Sequence, residues 1–238
     1  MKQIKNLVNV GLGDIIGTGI AAGFWFYLAI LIIPESYGEL HYFISIAGIV
    51  SYLTLIGTQN TITVYLAKSI PIHSTFNFIS LIGGILGFVI LFLMFDRIDI
   101  GFLVLGFTIN NLVMGELFGK KEYKGYLKYI LIQKILTPVL GLGFFFSFGI
   151  EAVIYGLALS YVAFSFRIIK SFKDTKIDFS LFSLLFIVFD IWYLAVILLT
   201  ITLYIWFTFT VSEWRLKIRQ EMNNQDTDAN QKAIDSLL

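Results

Sequence analysis

Residues 15–33 form a run of nineteen residues without a formal charge, and this run constrains the fold more than any other feature. The hydrocarbon core of a bilayer is about 30 Å thick, and about 20 apolar residues cross it as a helix. Similar runs recur along the chain, whose mean hydropathy is +0.84. The sequence therefore predicts an all-α, polytopic transmembrane helix bundle of about seven helices in the cell membrane. Its spans are expected at residues 14–33, 42–66, 76–95, 98–118, 126–148, 150–169 and 181–211.

The loops between the predicted spans differ in charge, and this difference orients the chain. With the N-terminus in the cytoplasm, the inner side collects Lys2, Lys5, Lys68, Lys120, Lys121, Lys124, Lys128, Arg167, Lys170, Lys173 and Lys176. The outer loops up to residue 151 hold only one cation, Arg97, beside five acids, Glu35, Glu39, Asp96, Asp99 and Glu151. Because cytoplasmic loops of membrane proteins carry an excess of Lys and Arg, we expect a cytoplasmic N-terminus.

The C-terminal part is less regular. Residues 181–211 are interrupted only by Asp190, and we interpret them as one long tilted span. A surface helix followed by a re-entrant or doubled crossing is the alternative. The predicted organisation is a six-helix lobe at 1–180, an additional span at 181–212 and a polar, disordered tail at 213–238.

Composition excludes several classes of function. The net charge of +1 gives no reason to expect a nucleic-acid partner. The chain has no cysteine, and its two histidines, His41 and His73, lie at predicted helix ends on opposite sides of the membrane, so we expect no metal site. No Walker loop or hydrolase motif occurs, so we expect no cofactor, no enzymatic activity and no transport driven by ATP hydrolysis on this chain.

Ionisable and amide side chains inside spans are costly, which makes each of them a candidate binding residue. Asp14 lies one turn into the first span and either faces a cavity or caps the helix at the interface. Gln59 and Asn60 in the second span and Asn111 in the fourth either bind a polar substrate or join helices.

The fifth span carries a polar stripe at helical spacing, Tyr126, Tyr129, Gln133 and Thr137, which should face protein or water. Lys134 lies beside this stripe and either binds a phosphate or extends to the headgroups. In the first span, the pairs Gly13/Gly17 and Gly19/Gly23 should allow close approach of another helix.

Three segments resemble a known family. They are residues 34–40 (PESYGEL) with the following 45–68, residues 119–129 (GKKEYKGYLKY), and residues 173–181 (KDTKIDFSL). Together they resemble the polysaccharide biosynthesis proteins of the O-antigen flippase family, within the MATE-like multidrug/oligosaccharidyl-lipid/polysaccharide superfamily. The resemblance covers about residues 4–182, and residues 183–238 depart from it. It implies two six-helix lobes around a central cavity, of which this chain supplies the first.

The resemblance implies a half or truncated flippase for lipid-linked oligosaccharides, with Asp14, Gln59, Asn60, Asn111, Gln133 and Lys134 as substrate-binding candidates. Alternating access needs a second lobe. In a monomer the polar stripe and the three amides would face lipid, so we expect a homodimer or a second-lobe subunit. The alternatives are a non-transporting scaffold for polysaccharide synthesis enzymes and an integral membrane enzyme. The short outer loops disfavour the enzyme.

The predicted topology can be tested in this cysteine-free chain by adding single cysteines. An impermeant thiol reagent applied to intact cells should label Ser36→Cys, on the outer side, and leave Lys121→Cys unlabelled until the membrane is permeabilised. Labelling of position 121 alone in intact cells would show that the chain has the opposite orientation.

Overall fold

A computed structural model describes residues 2–55, 57–70 and 72–174, together with Ile177 and Trp206. The chain divides into two units, Met1–Phe179 and Ser180–Leu238. The first unit contains every helix described below. The expected seventh span at 181–212 and the expected polar tail at 213–238 lie outside the described residues.

The first unit is built from eight α-helices among its described residues. They are α1 (Lys2–Leu31), α2 (Pro34–Leu55), α3 (Thr58–Ala67), α4 (His73–Phe95), α5 (Ile98–Gly119), α6 (Tyr123–Phe148), α7 (Val153–Val162) and α8 (Ser165–Asp174). A short 3-10 turn, Ile150–Ala152, leads into α7. The described residues contain no strand, and the predicted all-α bundle is confirmed.

Four segments are each long and apolar enough to cross a membrane: Val8–Leu31, His73–Phe95, Ile98–Gly119 and Tyr123–Phe148. Two bent pairs raise the number to six if each pair is one span. Pro34–Leu55 and Thr58–Ala67 meet at 48°, and Ile150–Val162 and Ser165–Lys173 meet at 43°. The chain is a multi-pass membrane protein, and its described spans follow the order expected from the sequence.

The second predicted span, 42–66, differs from the structure at its start and near its middle. The segment from Pro34 to Glu39 was expected to be a loop, yet α2 begins at Pro34. Proline suits the first position of a helix because its missing N–H has no partner there, and Glu35 in the first turn complements the helix dipole. Gly57 lies between α2 and α3 and has a φ of 74°. Residues other than glycine adopt this backbone conformation only with strain.

Helix α5 is the centre of the unit and contacts α2, α3, α4, α6, α7 and α8. Glycines let the neighbouring backbones approach it. A Cβ on Gly106 would lie 3.0 Å from the Ala158 carbonyl oxygen, and one on Gly115 would lie 2.9 Å from that of Gln59. These two glycines set the positions of α7 and α3 against α5.

Helix α1 lies at the edge of the bundle and packs mainly on α6. A Cβ on Gly13 would come within 2.7 Å of Ile130, and one on Gly17 within 3.0 Å of Lys134. This confirms that the first glycine pair allows close helix approach. At Gly19 and Gly23 no described residue lies within 4 Å of a Cβ, so the structure shows no close helix approach at this second pair. Helix α6 covers one face of α1, and Gly19 and Gly23 lie on a different face of α1.

The α6–α7 contact can be tested at Gly156, where a Cβ would lie 2.6 Å from the Leu140 carbonyl oxygen. Backbone atoms cannot move aside cheaply, so Gly156→Ala should lower the free energy of unfolding by about 1–3 kcal/mol. Gly143→Ala on α6 is the matched control, since nothing lies within 4 Å of Gly143. Equal unfolding transitions of both variants in detergent would show that the contact is not tight.

Candidate functional site

The polar stripe predicted on α6 lies inside the unit. Tyr126, Tyr129, Gln133 and Thr137 are all buried, and Gln133 exposes only 1% of its surface. The expectation that this stripe faces protein or water is confirmed. Helix α6 turns these side chains toward α5 and α7, and α1 covers its adjoining face.

The stripe joins four helices through hydrogen bonds. On α1, the Asp14 carboxylate accepts a hydrogen bond from the Tyr126 hydroxyl, and on α5, the Asn110 side-chain oxygen accepts one from Tyr129. The Gln133 amide donates to the Thr137 hydroxyl over 3.1 Å. That hydroxyl lies 3.1 Å from the hydroxyl of Ser160 on α7. Ser160 was not a sequence candidate, because an isolated serine in an apolar run gives no signal.

Burial of the stripe corrects one expectation. The stripe does not face lipid in a single copy of the chain, because α5 and α7 of the same chain cover it. It therefore gives no reason for a homodimer. Gln133, proposed as a substrate-binding residue, has no surface to offer a substrate in this conformation and instead donates to Thr137 of its own helix.

Asp14 on α1 and Lys134 on α6 lie on facing helices within the membrane-spanning region, and we call them the α1–α6 pair, although no ion pair joins them among the described residues. The Asp14 side chain is exposed, and Lys134 is half-buried. The two helices approach closely here, since a Cβ on Gly17, one turn from Asp14, would lie 3.0 Å from the Lys134 side chain. Asp14 lies six residues into the span that begins at Val8, which corresponds to about 9 Å along a helix. The two charges thus stand at the edge of the bundle, at membrane depth.

The other three candidates lie elsewhere. Gln59 is half-buried and Asn60 exposed on α3, which packs on α5 and α4. Asn111 on α5 is half-buried and donates its side-chain N–H to the Phe107 carbonyl, 2.8 Å away, within its own helix. The structure therefore brings Asp14 and Lys134 together, and it places the three amides on different helices from that pair.

An ion cluster lies at each end of the bundle. At the end formed by α2, α4 and α5, Arg97 makes two hydrogen bonds to Asp99, of 2.7 and 3.2 Å. Its guanidinium also lies 4.4 Å from the centre of the Phe43 ring. Hydrogen bonding to Asp99, which exposes only 4% of its surface, raises the pKa of Arg97. This cluster neutralises a buried carboxylate at the start of α5.

At the opposite end, Glu116 of α5 is 5% exposed and accepts hydrogen bonds from two cations. Lys120 lies 2.6 Å and Arg167 of α8 lies 3.4 Å from one of its carboxylate oxygens. Arg167 also lies 2.8 Å from Glu122. Glu116 and Lys120 have the i,i+4 spacing of a helical ion pair, which can be recognised in the sequence. Arg167 is 51 residues from Glu116, so the sequence gives no sign of this second ion pair.

Comparison with known proteins gives one short similarity. No family model matches the chain, and no solved structure matches it. Over 80 residues, 34% of the chain, it is 39% identical to ATP-binding cassette sub-family B member 6 of Xenopus tropicalis and of Mus musculus. It is 36% identical over the same length to that protein of Homo sapiens. The match spans 9% of the length of each relative, too little to place the chain in their family.

A double-mutant cycle tests the hydrogen bond between α1 and α6. Tyr126→Phe and Asp14→Ala should each destabilise the unit, and together they should show a coupling energy of about 1 kcal/mol, as expected for a polar contact within a membrane. The free energy of unfolding in detergent gives the measurement. Strictly additive effects would mean that the two side chains do not interact.

Proposed function

We propose that the chain is one lobe of a flippase-type transporter for lipid-linked oligosaccharides in the biosynthesis of polysaccharides or cell-surface glycans. It would work by alternating access together with a second lobe. The observation that supports this proposal is the α1–α6 pair, a carboxylate and an ammonium group at the edge of the bundle within the membrane-spanning region.

An exposed carboxylate at this depth needs a polar surrounding. Charged side chains inside membranes almost always face a bundle interior or a water-filled cavity, because hydrocarbon offers them no partner. Asp14 has only the Tyr126 hydroxyl as a hydrogen-bond donor among the described residues, and the rest of its carboxylate is open. A second lobe across a water-filled cavity from α1 would supply the surrounding that a single copy lacks.

The chemistry of the pair suits a phosphorylated substrate. Lys134 provides a cation for the diphosphate of a lipid carrier, and Asp14 provides a countercharge on the facing helix. Thr18, also exposed and one turn from Asp14 on α1, adds a hydroxyl on the same side. In this proposal, α1 and α6 form the wall of the lobe that contacts substrate, and the buried stripe keeps α6 in place.

Variants of Lys134 test the proposed role in transport. In vesicles that contain the chain with its native partner, Lys134→Ala should reduce movement of a fluorescent diphosphate-linked sugar lipid by about tenfold, since a hydrogen bond to a charged group contributes about 1.5–3 kcal/mol. Lys134→Arg should retain most of the activity because it keeps the charge. Lys128→Ala, an exposed cation on the same helix, is the matched control.

Three results would contradict the proposal. Equal transport by all three variants and the unaltered chain would remove Lys134 from the substrate site. A stable monomer that moves lipid-linked sugars unaided would remove the need for a second lobe. Association with polysaccharide synthesis enzymes, combined with no transport in any assembly, would favour the scaffold instead.

A further inference from the structure

The ion cluster at the end of α5 surrounds a cavity of about 220 Å³. It is lined by Glu116, Lys120, Glu122, Phe166, Arg167, Lys170 and Ser171. The cavity lies where α5 ends, α6 begins and α8 crosses them, so it stands at the end of the spans. That is the level at which a membrane-spanning bundle meets the headgroups.

The wall of the cavity carries both signs of charge. Three cations and two carboxylates line it, and the carboxylates hold Lys120 and Arg167 in ion pairs. Lys170 is exposed and forms no ion pair within the part of the chain that the structure describes. A ligand with a negative charge alone would meet two carboxylates, and a ligand with a positive charge alone would meet three cations.

Hydrogen-bonding capacity in this wall is also unused. One carboxylate oxygen of Glu116, Oε2, is buried and has no hydrogen-bond partner among the described residues. The Nε of Arg167 is likewise buried without an acceptor. Buried polar atoms are rarely left unpaired, so both side chains have a hydrogen bond to gain if they turn toward the cavity, Glu116 as an acceptor and Arg167 as a donor.

Helix α8 is held rigidly beside the cavity. The Ser74 hydroxyl of α4 donates to the Ser171 carbonyl over 2.6 Å, and the Asn77 amide donates to the Ser171 hydroxyl over 2.9 Å. All three residues are buried. These bonds fix the face of α8 that carries Arg167 and Lys170 toward α5, so the cavity is a built feature of the fold.

The outer face of α8 is apolar next to this cavity. Phe166 and Ile169, which lie three residues apart, each expose 58% of their surface, and Phe166 also lines the cavity. Exposed apolar side chains beside cationic ones are typical of a helix at the membrane interface, where acyl chains cover the apolar residues. A ligand held here can thus place a polar head in the cavity and an apolar tail along α8.

We propose that the cavity binds a phosphate ester that carries a primary ammonium group, supplied by the headgroup of phosphatidylethanolamine. Its phosphate would contact Lys170 and Arg167, and its ammonium group would donate to Glu122 and Glu116. The headgroup of phosphatidylcholine has no N–H to donate, and the headgroup of phosphatidylglycerol has no positive charge for the two carboxylates. Lipid retention does not require transport, so this site stands apart from the α1–α6 pair.

Lipid binding to the purified full-length chain tests the proposal. Short-chain phosphatidylethanolamine, phosphatidylglycerol and phosphatidylcholine are titrated separately in detergent, and the bound lipid is counted by native mass spectrometry. The ethanolamine lipid should bind about tenfold more tightly than the other two, since only its headgroup makes charge-assisted hydrogen bonds to both sets of residues. Equal binding of the three lipids would overturn the proposal.

Matched variants locate the site. Lys170→Ala and Glu122→Gln should each weaken binding of the ethanolamine lipid by about tenfold, and Lys170→Arg should retain it. Lys173→Ala is the control, because Lys173 is an exposed cation of the same helix that does not line the cavity. Identical effects of Lys170→Ala and Lys173→Ala would overturn the assignment. Unchanged thermal unfolding in phosphatidylcholine would show that the variants are folded.

A competition experiment identifies the source of the headgroup. Soluble phosphoethanolamine should displace the lipid only at much higher concentrations, because it lacks contacts with Phe166 and Ile169. If phosphoethanolamine displaced the lipid at an equal concentration, the ligand of the cavity would be a soluble ester of the same chemistry and not the lipid. If phosphoethanolamine displaced no lipid at any concentration, the headgroup would not be the part of the lipid that the cavity recognises.

Discussion

A polar side chain inside a membrane-spanning helix must find its partner within the protein, and much of this structure follows from that constraint. The hydrocarbon core offers no water to a buried amide, hydroxyl or carboxylate. On α6 the chain places four polar side chains on one face, and α1, α5 and α7 each supply partners for them. The hydrogen bonds of Tyr126, Tyr129 and Thr137 therefore also fix which helices lie beside α6.

Helix α5 provides the framework around which these partners meet. Its glycines bring α3 and α7 close enough for backbone contact, and both of its ends carry a buried carboxylate. Asp99 is paired with Arg97 and Glu116 with Lys120 and Arg167, so neither carboxylate is left unpaired at the membrane boundary. Removing one partner of such a buried pair leaves an uncompensated charge, which is far more destabilising than losing an exposed ion pair.

Helix α1 differs from the rest because it stands at the edge of the unit with a carboxylate open on its surface. The contrast between the satisfied stripe and the open Asp14 distinguishes a structural polar network from a candidate substrate surface. The cavity beside α8 is a third environment, with mixed charge and unused donors and acceptors at the end of the spans. The two proposed sites thus make different demands on a ligand: the α1–α6 pair suits a diphosphate at membrane depth, and the cavity suits a zwitterionic headgroup.

The sequence by itself determined the class of the protein, the order of the described spans and the need of the α6 stripe for protein or water around it. These follow from local patterns, since apolar run length and helical spacing depend only on neighbouring residues. It also indicated the tight approach at Gly13 and Gly17, although no described residue approaches the same motif at Gly19 and Gly23. Only the tertiary structure decided which helices cover the stripe, that Ser160 and Arg167 complete the buried networks, and that Asp14 remains exposed beside Lys134. Those outcomes depend on contacts between helices far apart in the chain, which a single sequence does not record.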